Sequence, residues 1–177
     1  MAQATIKRNG FGQVEPNHLS MQRTGQIHAQ LPAASAIKQL ENGQFAKYDI
    51  PNGEVNFTGV GEWYMVFNEV KLYGDTYNET YKDYAMQKKN FTDGEMTPRL
   101  VKLNIGDLYT TNTVGGAGSY RADYAGITLK EGDTLTPDTN GFLNPIGEGV
   151  TADYVLTVVK VYTMPDGQPG VKLMRTK

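Results

Sequence analysis

The fold of this chain is indicated most clearly by one stretch, Gly126-Ile127-Thr128-Leu129-Lys130-Glu131-Gly132-Asp133-Thr134-Leu135-Thr136-Pro137-Asp138-Thr139-Asn140-Gly141-Phe142-Leu143-Asn144-Pro145. It predicts two short strands on either side of a tight turn at residues 138–141, since Asp, Thr and Asn-Gly are turn formers. None of its charged residues has a partner at catalytic spacing. Small β modules of this kind generally offer a surface to a partner, so the stretch favours a binding or structural protein.

Length and composition agree with a β protein. The chain has 177 residues, enough for one domain or for one domain with an arm or a small lobe. Its 20 Gly and 11 Tyr, against a single Trp, favour strands and turns over helices. The net charge of −2 gives no reason to expect nucleic-acid binding by the whole molecule.

The chain contains no cysteine, which excludes disulfides, cysteine-ligated zinc, iron–sulfur clusters and a thiol nucleophile. The first residues have no apolar run behind their charges, so we expect no signal peptide. No stretch approaches the roughly 18 apolar residues of a membrane span. We therefore expect a protein made in a cytosol, with no membrane partner and no cofactor.

Residues 1–35 differ from the rest because their apolar residues are isolated and follow no period. Such a segment cannot bury a core of its own. One interpretation is a frayed terminus; the other is an extended N-terminal arm that orders on a partner, with its basic residues meeting an acidic surface. The candidate partner-binding residues of this arm are Ile6, Lys7, Arg8, Phe11, Val14, Leu19, Arg23 and Ile27.

Residues 36–177 carry the patterning of a β domain, which could divide into lobes at 36–97 and 98–177. Asn42-Gly43 is the strongest short hairpin signal. Pro51-Asn52-Gly53 predicts a second turn, and strands are predicted at 54–57 and 62–72.

The middle of the domain is less regular. Residues 76–96 fit both helical spacing and strand alternation, and we favour a strand with loops because Asn, Thr and Tyr are indifferent helix formers. Strands are predicted again at 99–104 and 108–111. The glycines of 114–119 predict a flexible loop, without the Lys-Ser/Thr and helix of a phosphate-binding loop.

The most β-branched segment is 152–163, which we predict to be a central strand. Val155, Val159 and Val161 fall on one face and Leu156 and Val158 on the other, so burial on both faces is expected. The whole pattern predicts an all-β protein, a compact antiparallel β-sandwich or small β-barrel with an extended N-terminal arm.

Residues for catalysis are scarce. His18 and His28 both lie in the predicted arm, where a preorganised site lacks rigid support. A glycosidase needs only two carboxylates placed by the fold, and Glu62 and Asp123 are the candidates, although surface carboxylates are more often simply solvated. No calcium-binding pattern is present. We expect no enzymatic activity and no metal site.

Aromatic residues give a further binding hypothesis. Four tyrosines, with Trp63 nearby, could form a sugar-stacking face; the alternative is that they fill a core or a subunit interface. These tyrosines are Tyr73, Tyr77, Tyr81 and Tyr84.

Two segments resemble virion structural proteins of tailed bacteriophages, above all the small capsid decoration, or cement, proteins. They are Leu103-Asn104-Ile105-Gly106-Asp107-Leu108-Tyr109-Thr110-Thr111-Asn112 and Gly132-Asp133-Thr134-Leu135-Thr136-Pro137-Asp138-Thr139-Asn140-Gly141-Phe142-Leu143. The second has the form Gly-x-x-Leu-Thr-Pro-x-x-x-Gly-x-Leu that recurs in these β domains. The likeness covers roughly residues 100–177, and residues 36–97 have no clear counterpart.

The resemblance implies a β domain on the outer capsid surface of the virion, with the arm reaching over neighbouring subunits. The implied partners are the major capsid protein and neighbouring copies of the chain, as trimers or clusters. Alternatives are a tail, fibre or head–tail joining β protein, and a carbohydrate-binding module or carboxylate glycosidase.

Overall fold

The structure is a computed structural model, and it describes residues 2–8, 10–24, 27–28, 31–68, 85–90, 95–115 and 126–177, with only the backbone of 23–24, 27–28 and 90. Fifteen strands lie in these ranges, with one short α-helix, α1 (Met21–Thr24), and one 3₁₀ turn at Lys88–Asn90. The strands are β1 (Gln3–Ile6), β2 (Val14–His18), β3 (Ile27–His28), β4 (Gln39–Leu40), β5 (Phe45–Asp49), β6 (Glu54–Asn56), β7 (Tyr64–Val66), β8 (Met86–Gln87), β9 (Leu100–Val101), β10 (Leu108–Thr111), β11 (Ile127–Lys130), β12 (Thr134–Pro137), β13 (Leu143–Pro145), β14 (Leu156–Thr163) and β15 (Pro169–Arg175).

Two antiparallel sheets form the body of the protein. The larger has six strands in the order β13-β12-β14-β15-β10-β2, and the smaller has five in the order β3-β9-β7-β5-β6. Two-stranded ribbons, β1-β11 and β4-β8, complete the described architecture. The predicted all-β antiparallel fold is confirmed. No helix among the described residues is long and apolar enough to cross a membrane.

The two sheets share one hydrophobic core. Phe45 and Met65 of the smaller sheet pack in the same cluster as Tyr109 and Leu173 of the larger one. Their immediate neighbours Ala46 and Val66 point the other way, into a second cluster drawn from residues 31–100. Because successive side chains of a strand alternate between faces, the smaller sheet is buried on both sides.

The motif-bearing stretch forms the predicted hairpin. Strands β12 and β13 pair from Leu135↔Pro145 to Pro137↔Leu143. The Asp138 carboxylate accepts hydrogen bonds from the backbone N–H groups of Asn140 (2.8 Å) and Phe142 (3.0 Å). The turn predicted at Pro51-Asn52-Gly53 also joins a pair of strands, β5 and β6.

The N-terminal segment is extended, but it is not free of the β domain. Strand β1 pairs with β11, and β2 pairs with β10 at the edge of the six-stranded sheet. Ile6 and Leu19 are 1% and 3% exposed in the main core. The expectation that these apolar residues have no core to enter is wrong, because their partner strands lie about a hundred residues further along the chain.

The expected hairpin at Asn42-Gly43 is also wrong. A turn does form there, and Gly43 has a φ of 85°. However, β4 before the turn pairs with β8, whereas β5 after it pairs with β6 and β7. The local turn signal was correct, but tertiary pairing sends its two flanking strands into different sheets.

Strand β14 is central, as predicted, yet its two faces are not equally buried. A register shift between Val158 and Lys160 leaves Val159 unpaired in the β14–β15 ladder. Val158 is 1% exposed and Val159 is 42% exposed. The expected burial of Val159 is therefore wrong, since a β-bulge resets the alternation of faces.

Several predictions lie outside the described residues. These are residues 76–84 and 91–94 of the segment 76–96 that was predicted as a strand with loops, most of the 114–119 loop, Asp123, and the sugar-stacking tyrosines. The division into lobes at 36–97 and 98–177 stays a prediction.

Candidate binding surface

Arg175, the last residue of β15, joins several loops at one end of the molecule. Its Nη1 forms an ion pair with Glu62 and donates to the carbonyl of Leu103. Its guanidinium lies 4.3 Å from the centre of the Tyr154 ring. A planar cation on an aromatic face, with carboxylate and carbonyl partners at its rim, holds these side chains in one arrangement.

The backbone around Arg175 adds further ties. Its N–H donates to Asp107 (3.0 Å), and its carbonyl accepts from the N–H of Gly106 (2.8 Å). The ammonium of Lys177 donates to the carbonyl of Ala152 (2.7 Å). The loops 57–63, 102–107 and 146–155 therefore meet the C-terminal residues 175–177, and we call this region the Arg175 end.

Glu62, a candidate catalytic carboxylate, is part of this arrangement. Its second oxygen lies 3.1 Å from the ammonium of Lys102. Burial acts to raise the pKa of Glu62, but the hydrogen bonds and charges of Lys102 and Arg175 outweigh it and hold the pKa below its ordinary value. The geometry thus makes Glu62 an ionised partner of two cations; its pKa is not raised toward that of a general acid.

The β5–β6 hairpin packs against one of these loops, residues 57–63. Asn56 accepts hydrogen bonds through its side-chain oxygen from the N–H groups of Thr58 (3.0 Å) and Gly59 (2.6 Å), and its amide donates to Asp49 (3.0 Å). A Cβ placed on Gly59 would be 2.5 Å from the carbonyl oxygen of Tyr48. The hairpin tip and the loop 57–63 are therefore packed together with little room for movement.

This end and the adjoining β5–β6 hairpin carry most of the exposed large apolar side chains. Ile50 is 71% exposed, Val60 96%, Ile105 72% and Val150 61%, and in the described part of the chain Val159 alone lies elsewhere. Single exposed apolar residues are ordinary, but four on neighbouring, hydrogen-bonded loops form a set of contact points. The ion-paired side chains of Lys102, Lys177 and Asp153 lie on the same loops and C-terminal residues, and an apolar interface core is commonly accompanied by such polar groups at its rim.

The predicted arm residues are distributed differently from expectation. Arg8 was expected to meet an acidic partner surface, but it forms an ion pair with Glu41 in which the side chains are 1% and 2% exposed. Its guanidinium also lies 5.9 Å from the Phe142 ring centre. Its charge is therefore paired inside the molecule rather than presented to a partner, and that expectation is corrected.

The other arm residues divide by burial. Ile6 and Leu19 are in the core, Phe11 and Val14 are half-buried, and Lys7 is exposed. The side chains of Arg23 and Ile27 lie outside the described residues. Lys7 is thus the one described cation of the arm that is available to a partner while the segment is docked.

The two histidines lie in different strands. His18 ends β2 with an exposed side chain, and of His28 only the backbone in β3 is described. Across the described ranges, no group of three or more His, Asp or Glu is placed to hold a metal ion.

The apolar residues of the Arg175 end were missed by sequence reasoning because each is isolated in a loop. A signal does exist, since each lies beside a turn former: Ile50-Pro51, Gly59-Val60-Gly61, Ile105-Gly106 and Gly149-Val150. A large apolar residue held at a turn cannot enter a core by strand alternation. Their convergence on one end, however, is visible only in the fold.

Comparison with protein-family models, with curated proteins and with solved structures finds no match for this chain.

Proposed function

We propose that this chain is a structural protein of a bacteriophage particle, which binds the outer capsid surface through the Arg175 end and stabilises the capsid by bridging its subunits. The observation that carries the proposal is the set of four exposed apolar side chains on hydrogen-bonded loops. Loops that are already ordered lose little entropy on binding, so their contacts count more fully toward affinity.

The sequence resemblance supplies the kind of partner. The motif of 132–143 resembles those of capsid decoration proteins, and in this chain it forms a compact hairpin inside a β-sandwich. A protein that binds only the assembled capsid stabilises the assembled state by mass action. Copies arranged around capsid symmetry axes would contact one another, which gives neighbouring copies of the chain as second partners.

The test is attachment to capsids lacking this protein, measured by co-sedimentation. Val60→Asp combined with Ile105→Asp should reduce occupancy at least about tenfold, since a buried interface residue contributes roughly 1–2 kcal/mol. Gln3→Asp combined with Thr139→Asp is the matched control, because it introduces two carboxylates at exposed positions outside these loops. Thermal unfolding should show that all three forms are folded.

The outcomes separate the parts of the proposal. If the wild-type chain does not sediment with capsids, the capsid is not its partner. If the wild type and the Val60/Ile105 variant bind capsids equally, the capsid is still the partner, but the Arg175 end is not the docking surface.

A further inference from the structure

Strand β14 has an edge that its neighbours leave open. It pairs with β15 from Leu156 to Thr163 on one side, but with β12 only at Leu156 and Thr157 on the other. From Lys160 to Thr163, no strand in the described residues pairs with this second edge. An open edge presents unpaired N–H and C=O groups, and these can template a further strand.

A groove runs along this open edge. It has a volume of about 460 Å³ and is lined by Ala4, Lys160, Val161, Tyr162, Thr163 and Pro169. Ala4 comes from the β1–β11 ribbon, so the groove lies between that ribbon and the edge of β14. Ala4 and Val161 are both partly buried against the main core, which makes one wall apolar.

One residue of the groove lining, Lys160, belongs to a pair of neighbouring lysines. Lys160 and Lys172 are direct partners across the β14–β15 ladder, and like charges in that position destabilise a sheet. The ammonium of Lys172 lies 5.5 Å from the centre of the Tyr162 ring. The nearby Asp166 carboxylate instead accepts from the side chains of Gln13 (2.9 Å) and Gln168. No ion pair to either lysine occurs among the described residues.

We propose that this groove binds an extended segment of another protein, which adds to β14 as a further strand and carries alternating acidic and small apolar side chains. The alternation follows from the strand period of two residues: one side of the added strand meets Lys160 and Tyr162, and the other meets Ala4 and Val161. Carboxylates there relieve the repulsion between Lys160 and Lys172. This site is separate from the Arg175 end and goes beyond capsid docking, so it stands whether or not the partner is a capsid.

The probe is a fluorescein-labelled eight-residue peptide of alternating Glu and Val, blocked at both ends, with binding to the full chain followed by fluorescence anisotropy. We expect saturable binding that weakens as salt is raised. Lys160→Glu combined with Lys172→Glu should weaken binding more than about tenfold, because attraction becomes repulsion at two positions. Lys38→Glu combined with Lys89→Glu is the control for net charge, since both are exposed lysines outside the groove.

Two further peptides test the mode of binding. A Lys/Val peptide should not bind wild type, and should bind the double lysine variant instead. A Glu/Val peptide N-methylated at alternate residues should lose binding, because its methyl groups block strand pairing. Absence of wild-type binding at millimolar peptide overturns the proposal. Equal binding by wild type and the folded double variant also overturns it, as does full binding by the N-methylated peptide.

Discussion

The guanidinium of Arg8 and the carboxylate of Glu41 form an ion pair that is almost entirely withdrawn from solvent, although the two residues are 33 positions apart. The same carboxylate oxygen accepts the N–H of Gly12 at 2.8 Å. This pair fastens the polar N-terminal segment to the turn at 41–44. This ion pair holds residues 8–12 of the predicted N-terminal arm against the β domain.

Removing one member of this pair should be costly. In Glu41→Gln the buried Arg8 charge loses its partner, and we expect the free energy of unfolding to fall by about 3–5 kcal/mol. Arg8→Met combined with Glu41→Leu should cost clearly less than the sum of the single changes, since no charge is left buried. Urea denaturation of the four forms provides the double-mutant cycle. A cost below about 1 kcal/mol for Glu41→Gln would mean that the segment is undocked in solution.

Val158 and Val159 provide a matched pair for the bulge in β14. Val158→Asp places an unpaired carboxylate in the core and should unfold the domain, because its cost of several kcal/mol approaches the whole stability. Val159→Asp should change stability by no more than about 0.5 kcal/mol. Circular dichroism and thermal melts measure both. Unfolding by Val159→Asp would show that the bulge is absent and that the strand is buried on both faces.

Gly141 and Gly53 separate conformational strain from steric clash. Both have positive φ, 77° and 65°. A Cβ on Gly141 would lie 1.9 Å from the carbonyl oxygen of Phe45, whereas one on Gly53 meets nothing within 4 Å. We expect Gly53→Ala to cost about 1–2 kcal/mol, from strain alone. Gly141→Ala should cost clearly more, at least about 3 kcal/mol, because backbone must move. Equal costs in chemical denaturation would contradict this packing.

Thr5 and Thr128 allow the N-terminal strand to be locked. They are directly opposite in β1 and β11, with their hydroxyl oxygens 2.8 Å apart. Because the chain has no cysteine, Thr5→Cys with Thr128→Cys should give a single disulfide within one chain and raise the melting temperature. Non-reducing electrophoresis and thermal melts check this.

The locked form also tests whether the N-terminal segment must detach to bind a capsid. If the disulfide abolishes co-sedimentation and a reductant restores it, release of β1 is part of attachment. We expect attachment to be unchanged by locking, because the Arg175 end does not use this strand.

The depressed pKa of Glu62 predicts a pH dependence of stability. The pKa of Glu62 is lower in the folded state than in the unfolded state, where it is roughly 4.3. The ionised carboxylate therefore contributes fully to the free energy of unfolding above that unfolded pKa, and this contribution is lost as the pH falls through the folded pKa. Glu62→Gln should lower the stability at pH 7 by about 1 kcal/mol, as expected for a partly exposed pair. The gap between wild type and variant should close in acid below pH 4. A gap that persists unchanged at pH 3 would contradict the ion-pair role.

Local sequence signals predicted the parts of the fold that local chemistry decides. The turn of 138–141 formed as expected because the Asp138 side chain satisfies the turn's own N–H groups. The turn at Asn42-Gly43 formed too, but not its hairpin, because strand partners are chosen by the buried faces of distant segments. Val159 shows the same limit, since one extra residue in a ladder reverses every face after it.

The candidate surface was less predictable than the fold. Glu62 was singled out as a carboxylate, but its cationic partner Arg175 lies more than a hundred residues away. Ile105 and Val150 belong to separate loops whose proximity depends on the pairing of β10, β14 and β15. Single apolar residues in loops form no periodic pattern, so the sequence does not predict that they lie close together. Their proximity follows only from the tertiary structure.

The pairing of β1 with β11 has a consequence for how the chain is made. Thr5 and Thr128 are 123 positions apart, so the first strand emerges from the ribosome well before its partner exists. At synthesis rates of about 5–20 residues per second, it stays unpaired for roughly 6–25 seconds. Ile6 is then exposed to solvent or to chaperones throughout that interval. Closure of the molecule at its N-terminus is thus a late event of biosynthesis, and a fold built on such distant contacts is expected to mature slowly.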